Sequence, residues 1–256
     1  MDILNAIVFG IIEGITEFLP ISSTGHLILT AHLLGISQTE FMKTFEIAIQ
    51  LGAILAVVVL YWKSLFTDFK VMQRIAVAFV PTAILGLIFY KFIKSVLLNS
   101  QPVVLWSLLL GGIFLIVFEL LYKEKSESAA NMRDISYKKV FLIGVFQSMA
   151  MVPGVSRSAA TIIGGLLLGL KRKTIVEFSF LLAVPTMLAA TGLDLVKNAG
   201  SFSKDQFFLL AVGFMVSFIV AALSIKFLLY FIKNHNFIIF GIYRICVAIL
   251  FWLIVR

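Results

Sequence analysis

The stretch EGITEFLPISSTGH, Glu13 to His26, places two carboxylates, a proline, three hydroxyls and an imidazole between apolar runs. Glu13 and Glu17 stand four residues apart and share one helix face. Two carboxylates on one face repel, and in apolar surroundings they need a metal ion, a shared proton or a cation. Both would be solvated only if this helix lay at an interface, and its apolar flanks argue against that. Pro20 ends the helix, and a hydroxyl among Ser22, Ser23 and Thr24 caps the next one. The bare N–H groups and the positive dipole end make an anion site there. Capping explains one hydroxyl and leaves two more and His26 unexplained. With Glu13, Glu17 and a serine nearby, His26 reads as a catalytic acid or base. His32 and His235 lack such company and read as interfacial.

A second stretch, PGVSRSAAT from Pro153 to Thr161, has a similar make-up. Arg157 in an apolar setting is costly unless it meets an anion. Its planar guanidinium suits phosphate oxygens bidentately. Ser156, Ser158 and Thr161 add donors, and the helix that follows adds its dipole. Arg157 has a structural alternative, an ion pair with Glu13 or Glu17, which a substrate would displace. Glu46 begins an apolar run and is a supporting candidate at the cavity wall. Arg244, in FGIYRICVA, reads as a salt bridge within the bundle or a side chain snorkelling to the interface.

These groups are embedded in a membrane chain. Of 256 residues, 61% are hydrophobic and 13% charged, and mean hydropathy is +1.08. Soluble domains carry roughly 25% charged residues. The composition predicts an all-α polytopic membrane protein with no separate soluble domain. One cysteine, Cys246, excludes an intramolecular disulfide and a Cys-rich metal site. The N-terminus lacks a basic region followed by a cleavage signal, so a removed signal peptide is not expected. The net charge of +8 reads as loop Lys and Arg that orient the chain, not as a nucleic-acid surface.

Six apolar runs are long enough to span, at about 46–62, 75–92, 103–121, 178–196, 207–231 and 237–255. Two further regions, about 3–35 and 140–170, are each broken mid-way, at FLPISSTG and MVPGVSRSAAT. Their halves are too short to cross and predict two re-entrant helix–break–helix hairpins. The hairpins resemble each other, with Gly10-x-x-Glu13 matching Gly144-x-x-Gln147 and the serines after Pro20 matching those after Pro153. The expected organisation is a single membrane domain over 1–256, with repeats at about 1–122 and 138–256 and a cytoplasmic linker at about 123–137. The tripeptide VPT occurs at Val80 and Val184, in helices that are not equivalent by order, and carries no weight on sequence alone.

If each hairpin returns to the side it entered, loops 63–74, 122–139, 171–177 and 226–236 share one side, with thirteen basic residues against six on the other. The positive-inside rule puts the thirteen in the cytoplasm and both termini outside. The hairpins then enter from opposite sides, an inverted-topology repeat with both breaks near the midplane.

The two motifs resemble those of the undecaprenyl-diphosphate phosphatases of the bacitracin-resistance type: E-x-x-x-E continuing into S-S-T-G-H, and P-G-x-S-R-S-x-x-T. FEIAIQLGAILAVV and EFSFLLAVP are similar to that family as well. The resemblance covers nearly the whole chain and shows no departure at the motif positions. It implies an enzyme of the bacterial cytoplasmic membrane that hydrolyses undecaprenyl diphosphate to the monophosphate and phosphate, with a divalent cation and an outward-facing site. On that reading Glu13 and Glu17 hold Mg²⁺ or Ca²⁺, and Arg157 with both helix N-termini grips the diphosphate. Ser22, Thr24, Ser156, Ser158, Thr161 and Glu46 complete the substrate site. Ser23 is the candidate nucleophile with His26 as its base, and water activated by His26 or Glu17 is the competitor. Expected partners are the polyprenyl lipid and the surrounding membrane lipids, with a homodimer open. The rival class is a transporter or flippase of the lipid carrier, which needs the anion clamp but no Ser/His/Glu constellation.

Overall fold

The computed structural model describes residues 1–37, 39–97, 100–124, 131–198 and 204–255. The chain begins with a broken hairpin, α1 (Ile3–Thr16) and α2 (Ser23–Leu33). Three longer helices follow, α3 (Glu40–Leu60), α5 (Phe69–Phe92) and α6 (Gln101–Leu121), with a short α4 (Trp62–Phe66) between the first two. A second broken hairpin comes next, α7 (Tyr137–Ser148) and α8 (Arg157–Leu167), and then α9 (Arg172–Asn198), α10 (Lys204–Phe231) and α11 (Ile238–Val255).

Five of these helices, α3, α5, α6, α9 and α10, are long and apolar enough to cross a bilayer. The sixth expected run forms α11, which is apolar but shorter. Three helix starts differ from the hydropathy reading, including α5, which starts at Phe69 behind an Asp68 cap that accepts from the Val71 N–H. α3 starts at Glu40, because the Thr39 side chain accepts from the Met42 N–H at 3.2 Å and caps a polar first turn. α9 starts at Arg172, ahead of its apolar stretch. Caps and polar first turns extend a helix beyond the apolar run that a bilayer would cover.

Both hairpins return to the end from which they start. Met1 and Ile36 line one small surface recess, and Gly169 faces the Lys139 ammonium. The base of the second hairpin lies at the basic end of the bundle. There Arg133 pairs with Asp68 at 2.6 Å, Arg74 donates to the Ile135 carbonyl, and Arg172 pairs with Glu119 while stacking over Phe237. The loops before α5, α7, α9 and α11 therefore meet at one end. The base of the first hairpin lies at the other end of α3. The hairpins enter from opposite ends and their tips meet, where the Ser158 hydroxyl donates to the Phe18 carbonyl at 2.8 Å.

The two halves are interleaved. α1 and α3 pack on α10, and α7 and α9 pack on α5. α3 also packs on α9, and α6 on α11. Each hairpin is thus wedged against a long helix from the other half. A buried cluster running from Phe18 through Phe178, Phe180 and Leu181 to Phe237 fills the centre. With lipid outside, little is gained from removing apolar area from water, so interdigitated packing is what holds such a bundle.

Candidate active site

The two breaks are built alike. Ser22 has φ 74° and Ser156 has φ 77°, and among the described residues these are the only positive-φ positions outside glycine. Such conformations cost about 1–3 kcal/mol each and persist only where the surroundings impose them. Gly154, at φ +93°, makes the second turn possible, and a Cβ there would strike Ser107 and the Val104 carbonyl, both 2.7 Å away. Ser156 caps α8 by accepting from the Ala159 N–H at 3.2 Å. Ser22 makes no side-chain cap at α2, so its hydroxyl is not taken up by capping.

A cavity of about 690 Å³ opens between the breaks, α5 and α9. Glu17, Ser22, Ser23, Thr24, Ser156 and Arg157 line one part of it. Phe79, Leu87, Tyr90, Met151 and Met187 make the rest mainly apolar. A polar head therefore sits at the breaks, and an apolar chain fits alongside.

The charged groups at the head are tightly linked. Arg157 Nη2 donates to Glu17 Oε1 at 2.9 Å, and Nη1 donates to the Ser179 carbonyl at 2.9 Å. Ser23 Oγ donates to the other Glu17 oxygen, Oε2. Of the two ion-pair partners open to Arg157 on sequence grounds, the structure selects Glu17. Both side chains are largely buried, and the Arg157 Nε–H is left without a partner.

Glu13 is fully buried and neither of its oxygens has a hydrogen-bond partner. Its carboxylate lies within electrostatic reach of Glu17, Glu46 and Arg157. Among the described residues no three His, Cys, Asp or Glu side chains cluster as a ready-made metal site. Glu13 does not line the cavity, but its two carboxylate oxygens, which meet no donor, stand beside Glu17, which does. Hard oxygens so placed suit Mg²⁺ or Ca²⁺, which bind a few carboxylates and draw remaining ligands from phosphate and water.

Other expected residues stand apart from the cavity surface. Thr161 is fully buried; its hydroxyl donates to the Arg157 and Ser158 carbonyls of α8 and therefore accepts from Ser179 Oγ. It braces the segment whose carbonyl holds Arg157. Ser158 joins the hairpin tips and does not line the cavity. Glu46 faces Glu13 electrostatically and is likewise not part of the lining.

The expected Ser23–His26 pair is not formed. His26 Nδ1 meets the Ser22 carbonyl at 2.7 Å and Nε2 meets the Tyr243 hydroxyl at 2.9 Å. A carbonyl only accepts, so Nδ1 carries the hydrogen, and the neutral ring's Nε2 accepts from Tyr243. The helix register explains this: His26 lies one turn beyond Ser22 and its ring folds back on that carbonyl. Arg244 also differs from expectation. It is buried and does not snorkel, and among the described residues it meets backbone carbonyls and no carboxylate.

The sequence reading passed over several polar side chains of the cavity, Gln50 and Tyr90 among them, and a hydrogen-bonded cluster around Gln147. Gln147 Nε2 donates to Thr82 Oγ1 at 2.8 Å and to Thr186 Oγ1 at 3.0 Å, and all three residues line the cavity. Thr82 and Thr186 are the threonines of the two VPT tripeptides. That repeat was the available signal, since helices unmatched in order still converge where the halves interleave.

A membrane-embedded cavity with a hydroxyl–carboxylate pair, a guanidinium and two helix starts at its head defines a polytopic membrane protein equipped for chemistry on an anionic lipid head. Comparison with known proteins agrees. The family model described as "Bacitracin resistance protein BacA" matches residues 6–250, and the chain belongs to that family. It is 58% identical to a protein named undecaprenyl-diphosphatase from Sulfurihydrogenibium sp. (strain YO3AOP1), covering 99% of each chain. Proteins of the same name from Aquifex aeolicus and Wolinella succinogenes are 55% and 52% identical, over 96% and 98% of this chain and 96% and 97% of their own lengths.

Proposed function

We propose that the chain is an integral membrane phosphatase that hydrolyses undecaprenyl diphosphate to undecaprenyl phosphate and inorganic phosphate, recycling the lipid carrier of cell-wall synthesis. The observation that carries this reading is the Ser23 hydroxyl bound to Glu17, with Arg157 on the same carboxylate, at the head of an apolar-walled cavity. The name shared by the relatives supports it.

In the reaction, Arg157 and the N-termini of α2 and α8 hold the diphosphate. The substrate competes for the guanidinium and frees Glu17 to act as a base. Ser23 Oγ attacks the terminal phosphorus while its proton passes to Glu17. The new O–P bond forms as the anhydride P–O bond breaks, and undecaprenyl phosphate leaves. Glu17 gives that proton up to the departing phosphate. Water then attacks the phosphorus, passing a proton to the freed carboxylate as the Ser23 O–P bond breaks, and Glu17 returns the proton to Ser23 Oγ as inorganic phosphate leaves. Arg157 and the helix N–H groups stabilise charge on the transferring phosphoryl oxygens. His26 contributes by holding the Ser22 backbone. Glu13, with Glu17 beside it, would hold Mg²⁺ or Ca²⁺, which when bound neutralises negative charge on phosphate oxygens.

On this reading the basic end of the bundle faces the cytoplasm of a bacterial cell, with both termini and the entry of the first hairpin on the outer side of its cytoplasmic membrane; the excess of Lys and Arg at that end supports it. A carrier for the same lipid would need the anion clamp and the paired hairpins. It would have no use for a serine hydroxyl on a carboxylate, and that bond favours hydrolysis. The test is phosphate release from undecaprenyl diphosphate by purified protein, with and without chelator, for wild type, Glu17→Ala and Arg157→Ala. Release that depends on both residues supports the phosphatase. No release, together with lipid translocation in vesicles that Arg157→Ala blocks, overturns it in favour of a carrier.

A further inference from the structure

Arg244 is 1% exposed, and its partners are five backbone carbonyls. Nη1 reaches Pro20 O in the first break at 3.4 Å and Val155 O in the second at 3.0 Å. Nη2 reaches Gly154 O at 2.8 Å and Ser107 O at 2.9 Å, and Nε reaches Leu108 O at 3.4 Å. A guanidinium has five N–H donors, so each finds an acceptor. The side chain passes over Gly111, where a Cβ would lie 2.1 Å from Nη2. An alanine at 111 would therefore displace the guanidinium.

The neighbouring residue acts on the same region. The Tyr243 hydroxyl donates to His26 Nε2, the two rings stack with centroids 5.5 Å apart, and His26 Nδ1 holds the Ser22 carbonyl. Two consecutive residues of α11 thus reach both breaks, one through an imidazole and the other directly. They meet them at the strained points: Ser22 itself, and Val155 just before Ser156.

The C=O and N–H of a trans peptide point to opposite sides. Drawing the Val155 carbonyl to Arg244 turns the Ser156 N–H away from Arg244. The Ser22 carbonyl is held by the His26 N–H at 3.3 Å and more closely by His26 Nδ1 at 2.7 Å, and this turns the Ser23 N–H away from His26 in the same way. Both serines line the cavity.

We propose that Tyr243 and Arg244 are positioning residues for the reaction: together they turn break-loop carbonyls away from the cavity, so that backbone N–H groups of both hairpins face the phosphoryl oxygens. The proposal rests on the reading that the cavity head holds the diphosphate. A buried cation without a carboxylate is expensive, and a role in setting two active-site loops at once accounts for its retention. It also gives the halves a mechanical link at the site, since one side chain fixes backbone from hairpins that enter from opposite ends.

The test uses full-length protein in detergent, comparing wild type with Arg244→Lys and Tyr243→Phe. Lysine keeps the charge but offers three donors in place of five. Hydrogen exchange is read along the chain, and kcat and KM are read for undecaprenyl diphosphate. In Arg244→Lys, exchange rises at residues 18–24 and 152–158 together. Its kcat falls about ten-fold or more while KM changes less than about three-fold, because donors aimed at developing charge act on the transition state. In Tyr243→Phe the first break loosens alone, with a smaller fall in kcat. That variant loses one hydroxyl and keeps the proposal open to test if Arg244→Lys does not fold. Unchanged exchange at both breaks, loosening spread evenly along the chain, or a kcat within about two-fold of wild type overturns it. If wild type releases no phosphate, the functional reading falls, while the exchange measurement still decides the positioning role.

Discussion

Arg157 Nη2 lies 2.9 Å from Glu17 Oε1, an ion pair that joins the two hairpins across 140 positions of sequence. Both side chains are largely buried at the cavity head, so each charge depends chiefly on the other. The pair holds the cavity head together until an anion competes for the guanidinium.

Removing one partner of this pair is expected to be harsher than replacing it. Arg157→Ala leaves the Glu17 carboxylate buried and unpaired, and should cost about 3–5 kcal/mol of stability. Arg157→Lys keeps the charge and loses the fork. It should fold, yet lower kcat for phosphate release about a hundred-fold or more. Thermal unfolding in detergent separates the two effects from kinetics on the same samples.

Ser23→Ala is expected to lower kcat at least about a hundred-fold, with KM little changed, because it removes the attacking atom and leaves the anion clamp. Wild type quenched during turnover should carry phosphate on Ser23, detectable by mass spectrometry. An alanine variant of nearly full activity would show that water attacks directly. His26→Gln, which retains a donor for the Ser22 carbonyl, should keep more activity than His26→Ala if the imidazole acts by holding that backbone.

Chelation should abolish phosphate release, and Mg²⁺ or Ca²⁺ should restore it. Glu13→Gln should raise the cation concentration needed for half-activity by about ten-fold or more, the order expected when a carboxylate ligand becomes neutral. Direct titration of the cation by calorimetry gives a readout that does not depend on turnover.

Gln147→Leu removes the donor shared by Thr82 and Thr186, and also the buried Gln147 Oε1, which has no partner. Loss of two hydrogen bonds and of one unsatisfied acceptor nearly offset, so stability should change by no more than about 1 kcal/mol. KM should rise, because all three side chains form part of the cavity wall.

At the basic end, burial is the largest single influence on the Asp68 carboxyl and raises its pKa. Hydrogen bonds from Arg133 and the Val71 N–H outweigh this and hold the carboxyl below its usual range. A depressed folded-state pKa contributes stability above the unfolded value of about 3.9, and that contribution is lost as pH falls through the folded value. Asp68→Asn keeps the helix cap and removes the charge. Its melting temperature should lie below wild type at pH 7, and the gap should close as the pH falls below the unfolded value and through the lower folded one.

Much of the molecule was readable along the chain. The breaks fell where expected, around Pro20 and Pro153, although proline alone did not decide them: Pro81 and Pro185 stand inside α5 and α9, and what sets the breaks apart is the cluster of hydroxyl and glycine residues beside the proline. Apolar runs located the long helices, and Glu13, Glu17, Ser23 and Arg157 stood out as polar groups in apolar surroundings. What could not be read were relations between distant residues. His26 turned to Tyr243 and not to Ser23, since a ring nitrogen binds whichever partner packing brings within 3 Å. Arg244 met carbonyls from three segments that are far apart in sequence. The VPT threonines converged on Gln147 because the halves interleave, an arrangement no local pattern encodes.

The sequence by itself determined which residues carry charge, hydroxyl and helix-breaking backbone, and therefore that two polar breaks lie within membrane helices. Those properties belong to single residues and their near neighbours. The tertiary structure alone decided that Glu17 takes both Ser23 and Arg157, that Glu13 is left unpartnered, and that α11 reaches both breaks. Hydrogen bonds and ion pairs act over a few ångströms, and only the packing of one hairpin tip against the other sets those distances.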